Sequence, residues 1–230
     1  MPIIKVNDIN MHYEIHGDGE PLVMIAGLGT DISIFRMCIK QLSQSFKVLV
    51  FDNRGVGSTD KPDIPYSIEM MADDTATLMS MVGFESAYVV GISLGGRIAL
   101  ELTLQFPEKV KRLVLASTSA SVKAMMSFLP KFIKRVRSEI SKSEQPYYAF
   151  LRQLNESHGY DCSNRFSEIN VPTLIMYGKK DKRVSYMQVK EMNVGIKESE
   201  LITFNGGHLF FIWKNKLFID AILGFYQKEV

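Results

Sequence analysis

The stretch "YVVGISLGGRIAL", residues 88–100, places one serine, Ser93, among the glycines Gly91, Gly95 and Gly96. Apolar residues before it predict a buried strand, and apolar residues after it predict a helix. A G-x-S-x-G pentapeptide between a strand and a helix is typical of a sharp turn that exposes the serine hydroxyl at the top of a sheet. The alternative is a glycine-rich turn with an incidental serine. The strand and helix on either side favour the exposed hydroxyl, with glycines where the backbone leaves no room for side chains.

Strands and helices alternate along the rest of the chain. Two apolar runs, "IIKV" and "MHYEIH", flank the turn "NDIN" near the N-terminus, and later runs end near Gly27, Asp52, Ser117, Gly178 and Phe204. This order predicts an α/β fold with a mostly parallel central sheet, an N-terminal antiparallel hairpin and helices on both faces. Such sheets carry their functional groups at the carboxyl ends of the strands, so we examined the residues just after each strand.

Composition and charge exclude several classes of protein. The chain has 230 residues, 46% of them hydrophobic and 23% charged, and a net charge of +2, which gives no indication of a nucleic-acid partner. The first residues, "MPIIKVNDINMHYEIHG", alternate apolar and polar, unlike a signal peptide. No apolar run approaches the roughly 18 residues of a membrane span. We therefore expect a cytoplasmic protein without integral membrane association; the oligomeric state, a homodimer included, stays open.

The two cysteines, Cys38 and Cys162, lie far apart in the sequence and lack the spacing of metal ligands. In a cytoplasmic protein they are expected to be reduced thiols, with a disulfide as the alternative. We expect neither a metal nor an organic cofactor.

A serine nucleophile requires a base that takes its proton and a third group that orients the base. Among the four histidines, His208 follows the last predicted strand directly, in "FNGGHLFF". His12 and His16 lie in the hairpin and are expected to be exposed or to pack within it. His158 lies in a polar segment away from any strand end. His208 is therefore the candidate base.

Two aspartates follow strands. Asp181 lies just beyond "PTLIMYG" and is the candidate orienting acid, with a solvated turn carboxylate among lysines as the alternative. Asp52 is interpreted as structural and is expected to pair with Arg54. The order Ser93, Asp181, His208 is one of the known chain orders of a serine–histidine–acid triad and differs from those of two protease folds.

Acyl transfer also requires two backbone N–H donors for the tetrahedral intermediate. Leu94 follows the serine at the start of a predicted helix and is expected to supply one donor. Leu28, in "GLGTD", is expected to supply the other, since Gly27 and Gly29 leave room for a substrate. The alternative is that this loop is merely a flexible turn.

Taken together, the chain resembles the α/β-hydrolase fold superfamily over essentially its whole length, through "AGLGTD", "DNRGVGSTDKP", "GISLGGRIALELTLQFPEKVKRLVLAS", "PTLIMYGKKDKRV" and "GGHLFFI". It looks like the small esterases and enol-lactonases with a short helical cap. The resemblance implies that Ser93 is the nucleophile, that His208 is a general base and then acid, and that Asp181 orients His208.

The sequence departs from this pattern in three places. Most relatives have His-Gly where this chain has Ala26 and Gly27, and the position that is often Trp in the following helix corresponds to Phe35. The segment after His208 lacks the Pro-Glu that many relatives carry. The hydrogen bonding behind the oxyanion loop is therefore the part of the pattern in question.

The resemblance divides the chain into a core of residues 1–120 and 171–230 and an inserted helical cap of residues 121–170. Within the cap, apolar residues recur at helical spacing between Met125 and Ile140, opposite a basic face. A lid helix over the site is favoured over a helix on a membrane surface. The cap has 8 basic and 5 acidic residues, a weak indication of an anionic substrate.

These observations predict a carboxylesterase-like serine hydrolase of a small-molecule ester or lactone. An enol-lactonase or a carbon–carbon bond hydrolase with the same triad is the alternative. A ligand-binding receptor with this fold is a further alternative. The intact triad argues against a receptor, because a protein that only binds a ligand needs none of the three side chains. The sequence does not specify the substrate, because a fold does not determine the reaction.

Overall fold

The structure is a computed structural model, and it describes residues 2–121 and 145–227. The apolar stripe and basic face predicted between Met125 and Ile140 lie outside the described residues. Among the helices described, none combines the length and apolarity that crossing a membrane requires.

Eight strands form one sheet in the described part of the chain. They are β1 (Ile3–Val6), β2 (Ile9–His16), β3 (Glu20–Ile25), β4 (Phe46–Phe51), β5 (Ala87–Ile92), β6 (Val110–Ala116), β7 (Thr173–Gly178) and β8 (Ser199–Phe204). Their spatial order is β1-β2-β4-β3-β5-β6-β7-β8. The pairs β1–β2 and β2–β4 are antiparallel and the others are parallel. The predicted fold class is confirmed, although β2 begins two residues earlier than expected.

The helices cover both faces of this sheet. They are α1 (Arg36–Leu42), α2 (Ile68–Met81), α3 (Leu94–Gln105), α4 (Tyr147–Gly159), α5 (Tyr186–Gly195), α6 (Phe210–Trp213) and α7 (Asn215–Tyr226). Short 3₁₀ helices span Ile32–Phe35, Pro107–Lys109 and Ser163–Glu168. Ser67 is the N-cap of α2, and its side chain accepts a hydrogen bond from the Met70 N–H.

The apolar runs of the central strands fill two cores. In β6, Leu113 and Leu115 face the core under α2, α3 and α5, whereas Val114 and Ala116 face the core under α1, α6 and α7. Successive side chains of a strand point to opposite faces, so a strand covered on both faces must be apolar at every position. Parallel strands β3 to β8 therefore end together at one edge, where their following loops meet.

The turn after β4 corrects one expectation. Asp52 does not pair with Arg54; its carboxylate accepts hydrogen bonds from His12 Nδ1 at 2.8 Å and from the Ile32 and Ser58 N–H groups at 2.9 Å each. The turn folds over the carboxylate because Gly57 has φ +53°, and an added methyl group there would lie 2.1 Å from Asp52 Oδ2. His12 is accordingly buried within the hairpin.

Arg54 instead lies between two carboxylates. Its guanidinium donates to Asp74 Oδ2 at 2.8 Å and to Asp8 Oδ1 at 2.7 Å. Burial acts to lower the pKa of Arg54, but its hydrogen bonds to the carboxylates of Asp8 and Asp74 raise the pKa overall. This buried cation is thus neutralised, as buried charges in proteins usually are. Both cysteines are buried free thiols, as expected.

Candidate active site

Ser93 occupies the sharp turn between β5 and α3. Its backbone has φ +56° and ψ −116°, a conformation that a residue with a side chain adopts only under constraint. Three hydrogen bonds impose it. The Ser93 N–H donates to the Ala116 carbonyl at 2.9 Å, and its own carbonyl accepts from Gly96 N at 3.0 Å and Thr118 Oγ1 at 2.7 Å. The exposed-serine interpretation of this turn is supported by these contacts.

The surrounding glycines permit the backbone to approach itself. A methyl group at Gly91 would lie 2.4 Å from the Gly95 carbonyl oxygen, and one at Gly95 would lie 2.1 Å from the Ile25 carbonyl oxygen. A methyl group at Gly96 would lie 2.4 Å from the Thr118 side chain. None of these positions has room for a side chain, which is the physical reason expected from the sequence.

Ser93, His208 and Asp181 are brought together at the carboxyl edge of the sheet. His208 Nε2 lies 3.0 Å from Ser93 Oγ, and His208 Nδ1 lies 2.8 Å from Asp181 Oδ2. A carboxylate only accepts hydrogen bonds, so this geometry assigns the proton to Nδ1 and leaves Nε2 to accept from the serine hydroxyl. The Asp181 side chain is fully buried and that of His208 is 10% exposed. The solvated-turn alternative for Asp181 is therefore wrong.

The neighbouring loops hold this arrangement. Asp181 Oδ1 accepts from the Arg183 N–H at 2.7 Å and the Val184 N–H at 3.2 Å, which leaves Oδ2 for the histidine. Ser117, at the end of β6, donates its hydroxyl to the His208 carbonyl at 2.7 Å. The imidazole is thus fixed at both its ring and its backbone. Sequence reasoning missed Ser117, whose only signal was its place directly after a strand.

The loop after β3 places Leu28 on the wall of the same cavity as Ser93, and the start of α3 places Leu94 there. Asn53 Nδ2 donates to the Ala26 carbonyl at 3.1 Å, and Gln153 Oε1 accepts from the Gly29 N–H at 3.1 Å. Leu94 is the first residue of α3, where a backbone N–H has no partner within the helix. The loop is therefore held by side chains from two other parts of the chain, without the histidine that relatives carry.

The cavity at this edge has a volume of about 110 Å³. Ser93 and His208 line it together with mostly apolar side chains. These are Leu28, Ile34, Phe35, Ile92, Val184, Leu209 and Phe211. Phe35, at the position that is often Trp in relatives, thus contributes to the wall. An apolar cavity with a few convergent polar groups is the usual form of a small-molecule site.

Arg97 and Ser157 are among the polar residues of this cavity that sequence reasoning missed. Arg97 was detectable as the one cation in α3, one helical turn beyond Ser93. Ser157 lies within the predicted cap, but no local pattern in the sequence distinguished it from its neighbours. The helix α4 carries Ser157 to the cavity. It also carries His158, whose Nδ1 lies 2.8 Å from the Leu154 carbonyl; burial lowers the pKa of this histidine.

His12 and His16 were predicted to have no catalytic role. His16 Nε2 lies 2.8 Å from Glu14 Oε2. Among the described residues that line the cavity, neither histidine is present. Within residues 2–121 and 145–227, no three His, Cys, Asp or Glu side chains are grouped as metal ligands would be.

Comparison with known proteins defines the class. The family model described as alpha/beta hydrolase fold matches residues 20–146, more than half of the chain. The chain belongs to this family, and its fold and relatives define a hydrolase.

Three of its relatives are similar over nearly the whole chain. A putative carbamate hydrolase, RutD, of Azorhizobium caulinodans is 29% identical over 98% of both chains. The crystal structure of the enol-lactonase from Burkholderia xenovorans LB400 superposes with a TM-score of 0.89 at 22% identity, covering 99% of this chain and 100% of the other. An esterase from Exiguobacterium antarcticum superposes with a TM-score of 0.89 at 22% identity, covering 98% and 99%. At these identities the two structures establish the fold.

Proposed function

We propose that this protein is a serine hydrolase that cleaves a small carboxylic ester through an acyl-enzyme on Ser93. The observation that carries the proposal is the continuous hydrogen-bonded chain from Ser93 Oγ through His208 to the buried Asp181, at 3.0 and 2.8 Å. Each member has the partner that its role requires, and the serine faces an apolar cavity.

The first half of the reaction forms the acyl-enzyme. His208 Nε2 takes the Ser93 hydroxyl proton as Oγ attacks the substrate carbonyl carbon. The negative charge that develops on the carbonyl oxygen is stabilised by the N–H groups of Leu28 and Leu94 and by the N-terminus of α3. The imidazolium, held by the Asp181 carboxylate, then protonates the departing alcohol as the carbon–oxygen bond breaks.

The second half returns the enzyme to its starting state. His208 Nε2 takes a proton from a water molecule, whose oxygen attacks the acyl carbon. The second tetrahedral intermediate uses the same two N–H groups. Its collapse releases the carboxylic acid, and the proton returns to Ser93 Oγ. These steps balance without a metal or an organic cofactor.

The cap assignment belongs to this proposal. We propose residues 121–170 as the cap and residues 1–120 and 171–230 as the core. The helix α4 supports this division, because its Gln153 contacts Gly29 and its Ser157 lines the cavity. A lactone is the nearest alternative substrate, since ring opening follows the same steps with the alcohol kept in the product. The name of the Azorhizobium relative adds carbamates to the compounds worth testing.

The test is hydrolysis of 4-nitrophenyl esters from acetate to palmitate, with γ- and δ-lactones in parallel. Ser93→Ala and His208→Ala are the catalytic variants, and His16→Ala, outside the cavity, is the matched histidine control. We expect turnover of short-chain esters to fall about 10⁴- to 10⁶-fold in both catalytic variants. Trapping a covalent acyl group on Ser93 by mass spectrometry identifies the intermediate.

Two results would overturn the proposal. One is wild-type turnover no faster than that of Ser93→Ala on every ester, lactone and carbamate. The other is equal loss in His16→Ala and His208→Ala, which would show that His208 acts only through the fold.

A further inference from the structure

Arg97 is a buried cation on the wall of the cavity that holds Ser93. The residue is 6% exposed, and it lies four residues after Ser93, in the first turn of α3. Its guanidinium contacts oxygens that carry no charge. Nε donates to the Ser119 carbonyl at 3.0 Å, and Nη1 donates to the Ser157 carbonyl at 3.1 Å and to the Ser157 hydroxyl.

In residues 2–121 and 145–227, Arg97 forms no ion pair with a carboxylate. The buried Arg54, by contrast, lies between the carboxylates of Asp8 and Asp74. Burial lowers the pKa of Arg97 to about 10, so the guanidinium still carries its charge at neutral pH. A cation held in an apolar cavity without a carboxylate is costly to the fold, and a ligand anion would relieve that cost.

The guanidinium retains donor capacity for such an anion. Arginine has five N–H donors. Nη2 carries two of them, and its described contact, with Ser119 Oγ, is long at 3.4 Å. The described wall of the cavity includes no aspartate or glutamate to repel an anion.

We propose that Arg97 is a specificity-determining residue that binds a carboxylate group of the substrate. The substrate is then an ester or lactone that carries a second, ionised carboxyl group a few bonds from the scissile carbonyl. This inference rests on the proposed function and narrows its substrate class. A merely structural role, in which Arg97 ties α3 to α4 through Ser157, is the competing explanation.

The experiment compares substrates that differ only in this charge. The anionic substrates are 4-nitrophenyl hydrogen succinate, glutarate and adipate, corrected for their spontaneous hydrolysis. Their neutral partners are the corresponding 4-nitrophenyl methyl diesters. The measured quantity is the ratio of kcat/KM for the anionic ester to kcat/KM for its neutral partner, in the wild type, in Arg97→Met and in Arg97→Lys.

Arg112→Met is the matched control, because Arg112 is also a buried arginine but lies on β6 outside the cavity, with a bond to the Phe225 carbonyl. We expect Arg97→Met to lower the ratio by about 10- to 100-fold, the usual scale for removing one charged partner of a carboxylate. Arg97→Lys should recover part of the ratio, and Arg112→Met should keep the wild-type ratio. A purely structural role would lower both rates together and leave the ratio unchanged.

A binding measurement tests the inference without an Arg97 variant and without turnover. Isothermal titration of Ser93→Ala with monomethyl adipate, glutarate and succinate should give affinities about tenfold or more above those for the dimethyl esters. Equal affinity for the two members of every pair would overturn the inference, as would an unchanged kinetic ratio in folded Arg97→Met. Wild-type turnover no faster than Ser93→Ala on all these esters counts against the proposed function, and the titration still decides the anionic subsite.

Discussion

Replacing Gly95 by alanine tests the physical account of the turn that carries Ser93. The added methyl carbon would lie 2.1 Å from the Ile25 carbonyl oxygen and 2.6 Å from that of Ala26. Both are backbone atoms at the end of β3, so no side chain can rotate away. Separating carbon and oxygen to an ordinary contact requires α3 and β3 to move apart by about 1 Å.

The expected cost follows from the rigidity of the two elements. Overpacking a core costs about 1–3 kcal/mol. Since backbone lies on both sides, we expect Gly95→Ala to cost about 3 kcal/mol. In a chain of this length each kcal/mol shifts the melting temperature by about 2–4 °C, so the variant should melt about 6–12 °C below the wild type. The assay is thermal unfolding by circular dichroism, supported by urea titration.

The chain offers a matched glycine. Gly224 lies within α7, and a methyl group there would meet nothing within 4 Å. Gly224→Ala should stabilise the protein by about 0.5–1 kcal/mol, because alanine is the better helix former. Two results would refute the close approach of α3 and β3. One is a melting temperature of Gly95→Ala within about 2 °C of the wild type. The other is a change in melting temperature no larger than that of Gly224→Ala.

Two further predictions concern the acid and the thiols. Asp181→Asn should lower kcat for a 4-nitrophenyl ester by about 10⁴-fold, because an amide favours the wrong tautomer of His208; a loss below about tenfold would contradict the assigned role. Burial raises the pKa of both Cys38 and Cys162 from 9.0 to about 11, so neither should react with a thiol reagent at pH 8 until guanidinium unfolds the chain. Between pH 9.0 and about 11 the unfolded chain ionises these thiols while the folded chain keeps them neutral, so the free energy of unfolding should fall as the pH rises. A double Cys→Ala variant should lose that part of the pH dependence, and an unchanged slope would contradict it.

The central strands were predictable because their runs are mostly apolar and are followed by glycine or polar residues. The pentapeptide around Ser93 was predictable for a local reason, since a strand, a turn and a helix follow one another within a few residues. The helix α5 was not predicted, because only Val189 and Met192 of its ten residues are buried and too little apolar periodicity marks it.

Contacts between distant segments account for the other differences. Asp52 and Arg54 are two residues apart, which suggested a pair, but the folded turn sends them to different partners. Asp52 meets His12 from the hairpin, and Arg54 meets Asp74 from α2. These hydrogen-bond partners depend on which segments the sheet brings together, and the local sequence does not predict them. The same reason hid Ser117 and Ser157 from the sequence analysis.

One such long-range contact replaces an expected local one. Where relatives carry His-Gly, this chain has Ala26 and Gly27, and the loop is held from α4 instead. Gln153 accepts from the Gly29 N–H at 3.1 Å with its oxygen and donates to the Arg54 carbonyl at 2.8 Å with its nitrogen. A single buried amide therefore joins the loop that carries Leu28 to the turn after β4.

This connection has a consequence for the site. A histidine within the loop would hold the backbone independently of the rest of the chain, whereas Gln153 makes the position of Leu28 depend on the position of α4. The same helix carries Ser157, which holds the guanidinium of Arg97. A substrate carboxylate bound at Arg97 would therefore bear on the helix that also fixes the loop of the oxyanion site. On both proposals, α4 would join binding of the charged end of a substrate to alignment of its reacting carbonyl.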